Sequence, residues 1–151
     1  MRRSAILAAV LVATVLAPSH LAAQSPRDLI AATLDAAATM KQADGFRPDD
    51  EAVPRDIVVG VLPAGGAVIL ELRLEGGTTY FIGGVCDEDC TDMDMWLIDP
   101  EDGATLAEDT AEDDVPILQF VAPRTGTYFL SLMMYDCAEE YCLFGYQVLK
   151  K

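Results

Sequence analysis

Residues 67–85 read AVILELRLEGGTTYFIGGV, and the alternation in this stretch decides the fold. Val68, Leu70, Leu72 and Leu74 share one parity, the period of a strand with one buried face. EGG breaks the run and TTYFIGGV resumes it. The same grammar continues on both sides, as short apolar runs between turn residues. IVVGVL is followed by PAGG, DMWLID by PEDG, and VPILQFV by APRTG, while ATLAED, TYFLSLMMY and LFGYQVL complete the series. Strands of this length at this spacing predict an all-β fold, an antiparallel β-sandwich of jelly-roll-like type, over residues 57–151. No strand–helix alternation follows residue 57, which argues against a parallel α/β sheet.

Parity also assigns faces. Tyr128, Leu130, Leu132 and Met134 fall together and are expected in the core. Met95 and Leu97 share a parity, while Trp96 and Ile98 take the other. Trp96 is therefore either a binding surface or a residue covered by a loop or by the N-terminal helix.

That helix is expected over residues 24–46. Ser25 can cap it, Pro26 suits its first turn and Asp28 suits its positive end. Ile30, Leu34, Ala37 and Met40 follow helical spacing, and Gly45 supplies a stop. Two prolines and dense charge make residues 47–56, RPDDEAVPRD, a linker or an irregular crossing strand.

Residues 1–23 have the pattern of an export signal. Arg2 and Arg3 precede an apolar run, and Pro18 and small residues follow it. The run is shorter than the ~20 apolar residues of a membrane span. Cleavage after Ala23 would leave 128 residues without the lone His20, with eight basic and 25 acidic residues and a net charge of −17. The expected location is secreted or periplasmic, with no membrane span after cleavage. A chain without histidine cannot run a Ser-His-Asp or Cys-His mechanism. Its charge argues against nucleic acid, whose phosphates need clustered Lys and Arg.

The acids crowd one region. Residues 87–114 hold 13 of the 25, and no Lys or Arg lies between Arg73 and Arg124. Such a run can be a solvated face that keeps a protein soluble. It can also hold a hard cation, since Ca²⁺ takes six to eight oxygen ligands. Asp87, Asp89, Asp92 and Asp94 are the candidate calcium ligands, and calcium is the one cofactor the sequence suggests.

The four cysteines, Cys86, Cys90, Cys137 and Cys142, are expected in disulfides, because exported chains meet oxidising conditions. Three pairings exist. Short loops gain roughly 2 kcal/mol on closure and long cross-links roughly 4, which favours cross-pairing. Proximity favours Cys86–Cys90 and Cys137–Cys142, and local closure is the expectation.

Several features of residues 57–151 resemble the bacterial pre-peptidase C-terminal domain family. They are the aromatic pair Tyr80-Phe81 and the step Asp92-Met93-Asp94-Met95, running on to Asp99 and Gly103. DDVPILQFVAPRTGTY over residues 113–128 and the late Tyr146 complete the set. The resemblance implies a β-sandwich module. It also implies calcium near Asp92 and Asp94 in relatives from collagenases, with further acids from the segment before the first strand, here Asp49, Asp50 and Glu51. The helix and the cysteines depart from that pattern.

The resulting reading is a secreted, non-catalytic β-sandwich module of binding or structural type, stabilised by calcium, with a protein or polysaccharide partner. The alternative is an inhibitor or partner-binding protein that uses its acidic loop face. A carboxylate-dependent hydrolase is a weaker third, because acid pairs at the needed ~5–10 Å are too common here to be diagnostic.

Overall fold

The computed structural model describes residues 24–53 and 57–151. The expected export signal lies outside these residues.

Among the described residues, one helix and nine strands follow in order. α1 spans Pro26–Gln42, β1 Arg47–Pro48, β2 Val58–Leu62, β3 Ala67–Leu74 and β4 Thr79–Cys86. β5 spans Cys90–Ile98, β6 Thr105–Asp109, β7 Ile117–Val121, β8 Gly126–Cys137 and β9 Cys142–Lys150. They form two antiparallel sheets packed as a sandwich. The five-stranded sheet runs β1-β9-β4-β7, with β2 also on β9, and the four-stranded sheet runs β3-β8-β5-β6.

The alternation read from the sequence is the packing rule. Tyr128, Leu130, Leu132 and Met134 are completely buried, as are Leu72, Met93, Met95 and Leu97. Tyr80, Ile82, Phe144, Tyr146 and Val148 meet them from the other sheet. The buried aromatic hydroxyls find work at the sheet ends. Tyr80 accepts from the Glu75 N–H at 2.8 Å, and Tyr128 donates to the Arg124 carbonyl at 2.7 Å. Burial pushes the Tyr146 hydroxyl up to about 12.

α1 begins where the sequence places it. Ser25 and Asp28 form a reciprocal capping box. Its buried face is Ile30, Leu34 and Ala38, however, and Met40 is 70% exposed. From Leu34 the buried stripe steps by four residues to Ala38, not by three to Ala37. α1 covers the outer face of the five-stranded sheet, meeting Val85, Phe81 and Leu149. It fits because β9 has Gly145 at the crossing, where any Cβ would overlap the Ile30 methyl group. Trp96 lies on β5 in the other sheet, so α1 is not its cover.

Of the two expectations for this segment, residues 47–53 follow the crossing strand and not the linker. β1 pairs with the end of β9, and the Asp49 N–H donates to the Val148 carbonyl at 3.0 Å. Ala52 and Val53 join the core. The anchor is an ion pair from Lys150 to Asp49, 2.9 Å long and almost wholly buried. A charge pair that closes across a hundred residues has no local signature in the sequence.

Candidate functional site

Three connections meet at one end of the sandwich. They are the β4–β5 turn, the β6–β7 loop and the β8–β9 hairpin. Cys86–Cys90 closes the first and Cys137–Cys142 the third, so both disulfides are local. Cys90 and Cys137 are also partners in the β5–β8 ladder, which sets the two clamps side by side. Backbone bonds lace the loops together. The Ala138 N–H donates to the Asp89 carbonyl at 2.8 Å, Cys86 to Asp114 at 3.1 Å and Met93 to Asp113 at 3.0 Å.

Eleven acids belong to this pole: Asp87, Glu88, Asp89, Asp92, Asp109, Glu112, Asp113, Asp114, Asp136, Glu139 and Glu140. The loops that carry them contain no Lys or Arg. Several of these carboxylates hold turns. Asp109 accepts from the Ile117 and Ala111 N–H groups at 2.8 and 3.2 Å, and Asp113 accepts from Val115 at 3.0 Å. Asp136 accepts from the Thr91 hydroxyl at 2.8 Å. Two tyrosines stand among the acids, Tyr135 at 59% and Tyr141 at 55% exposure. The sequence shows both residues, but only the strand order places them on the acidic end.

The four candidate calcium ligands are not gathered into one shell. Asp87 Oδ2 accepts from the Leu143 N–H at 2.8 Å, and its side chain lines a cavity beside α1. Asp89 lines the same cavity. Asp92 and Asp94 lie on β5, on the parity opposite to the core residues Met93 and Met95. Among the described residues, no group of three or more His, Cys, Asp or Glu side chains could hold a metal ion. Asp49 and Glu51, the further acids implied by the family resemblance, sit at the opposite end beside Lys150.

Asp92 in the pole and Asp94, next to it on β5, carry the electrostatic strain. Burial raises the Asp92 carboxyl above its usual range, and Glu112, Asp136 and Asp113 add to the rise. Burial likewise raises Asp94, helped by Asp92 and Asp109. A carboxyl raised in the folded state destabilises the fold when charged. Stability therefore rises as pH falls through the raised value, and levels off near the unfolded value of about 3.9. Asp94→Asn is expected to stabilise the protein at pH 7 by about 1 kcal/mol. That gain should fade as a melt series descends towards pH 4, and a pH-independent gain would point to a different cause. Because the acids are spread out, calcium and sodium chloride at matched ionic strength should shift the melting temperature equally.

The other end of the sandwich has a different charge pattern. Arg124 donates to Asp99 Oδ1 at 2.6 Å, and the Glu101 N–H donates to the same oxygen at 2.9 Å. Those two bonds, the backbone one first, hold the Asp99 carboxyl below its usual range. Trp96 is half-buried on β5, opposite Ser131 and Glu108.

No family model and no curated protein matches the chain. Solved structures do share its shape. The pre-peptidase C-terminal domain of a collagenase from Bacillus anthracis aligns with 61% of this chain and 86% of its own, at 18% identity and a TM-score of 0.50. PliG of Aeromonas hydrophila, a periplasmic inhibitor of g-type lysozyme, aligns with 63% of this chain and 84% of its own, at 14% identity and a TM-score of 0.49. At these identities the likeness is one of fold, and the fold is like that of a pre-peptidase C-terminal domain.

Proposed function

We propose that this chain is an exported, non-catalytic β-sandwich module that binds a basic protein through its disulfide-clamped acidic pole. The observation that carries this reading is the composition of the pole: eleven carboxylates, no base in the loops, and two exposed tyrosines. Tyrosine supplies rigid contact area at the centre of protein interfaces, and surrounding charge steers the encounter. Two disulfides hold the loops in place before the partner arrives, which lowers the ordering cost of binding. The non-catalytic part of the reading is supported by where the raised carboxyls lie. Neither Asp92 nor Asp94 lines the cavity beside α1.

The experiment is photo-crosslinking in the exported fraction. A photoreactive residue at position 141 should capture a basic protein, and the same residue at position 69, on the four-stranded sheet, should not. Tyr141→Ala should weaken that complex at least tenfold, about 1.4 kcal/mol. Added salt should slow association and leave dissociation nearly unchanged. Equal capture at both positions, or an acidic partner, would overturn the reading.

A further inference from the structure

A cavity of about 120 Å³ lies between α1 and the β4–β5 turn. It is smaller than the ~150 Å³ engineered cavity that admits benzene, a size suited to one side chain. Its wall is apolar, formed by Leu29, Ile30, Val85 and the half-disulfide Cys86, and its rim is Asp87, Glu88 and Asp89. Leu29 is 49% exposed, so the wall opens to solvent. Asp87 Oδ1 is buried and has no hydrogen-bond partner, although buried polar atoms nearly always find one.

We propose that this cavity receives the side chain of a lysine from the basic partner. The inference rests on the reading of the pole as the partner-binding end. An apolar wall with carboxylates at its rim matches a lysine, whose butyl stem buries while the ammonium stays at the mouth. Asp87 distinguishes lysine from arginine. Its Oδ2 already accepts from the Leu143 N–H at 2.8 Å and its Oδ1 is shielded from solvent, so a cation at the mouth meets Asp87 as a fixed negative charge and not as a two-oxygen acceptor. A guanidinium fork binds best to both oxygens of a carboxylate, whereas an ammonium is a point charge. The positive end of α1 is nearby, but Asp28 in the capping box offsets it.

The test is NMR titration of the isotope-labelled exported protein with Nα-acetyl-lysine methylamide and its arginine and norleucine counterparts. The lysine probe should give saturable shifts at the amides of Leu29, Thr33, Asp87 and Asp89. It should bind at least fivefold more tightly than the arginine probe, and norleucine should give none. Asp87→Asn keeps an acceptor for the Leu143 N–H but removes the charge, and should weaken lysine binding at least fivefold. Leu29→Ala, at an exposed position, should weaken it through the stem. Equal binding of norleucine or arginine, or shifts spread evenly over the pole, would overturn the proposal. If lysine fails here while position 141 still captures a basic protein, the cavity assignment falls and the pole reading stands. If lysine binds but no basic protein is captured, the cavity stands and the pole reading falls.

Discussion

Replacing Asp49 by alanine should cost about 3–5 kcal/mol of folding stability, enough to consume much of the ~5–15 kcal/mol that a domain has in total. The Lys150 ammonium sits 2.9 Å from Asp49 Oδ1, with the two side chains 9% and 1% exposed. Glu51 and Glu75 stand at 3.8 Å on the rim, largely in water, and are too far out to replace it. Removal of Asp49 therefore strands a buried cation. Its hydrogen bond to Asp49, the largest effect, raises the Lys150 pKa, and the surrounding acids raise it further against the opposing effect of burial. A raised lysine contributes stability that is complete below the unfolded value near 10.4 and is lost as pH rises through the folded one. The Asp49→Ala deficit should thus be constant at neutral pH and shrink only in strong alkali. Combining Asp49→Leu with Lys150→Met should recover most of the loss, since an apolar pair needs no desolvation. A urea melt of the wild type and the two variants decides this. A loss below about 1 kcal/mol for Asp49→Ala would show the pair to be hydrated.

The same ion pair marks the limit of what the sequence discloses. Strand parity in residues 67–74 and 126–134, the Ser25 cap and the local cysteine pairs were all legible, because each depends on neighbours along the chain. Residues 47–53 read equally as a linker or as a crossing strand, because their prolines and acids are local signals, while the partner of Asp49 lies near the other terminus. The need for glycine at position 145 is equally non-local, because α1 lies across it. The calcium ligand set is divided between two places for a related cause. Asp87, Asp89, Asp92 and Asp94 are close in sequence, yet Asp87 and Asp89 face α1 while Asp92 and Asp94 project from β5. The acidic pole needed the strand order, which brings residues 111–114 and 136–141 to the turn at Asp87.

Leu34→Asp should release α1 from a sandwich that stays folded. Leu34 is 3% and Ile30 2% exposed, both in the small cluster with Val85 on the outer sheet face. Full burial of one such side chain contributes about 1.5–3 kcal/mol, so losing both removes roughly 3–6 kcal/mol of docking energy. A carboxylate at position 34 cannot be buried there unpaired and would take the helix into water with it. Once detached, a helix of 17 residues has little stability of its own. The main core should survive, because Leu72, Met95, Leu130 and Leu132 pack between the sheets and do not belong to the α1 clusters. Hydrogen exchange should lose all protection over residues 29–42 while β4, β5, β8 and β9 keep theirs. Trypsin should cut at Lys41, and dye binding should report the uncovered Phe81, Val85 and Leu149. Gly145→Val should do the same more weakly, about 1–3 kcal/mol, by overpacking the crossing. If Leu34→Asp instead abolishes protection throughout the strands, α1 belongs to the single cooperative unit. Its role would then be to complete the core, with the cavity beside Leu29 a by-product of that packing.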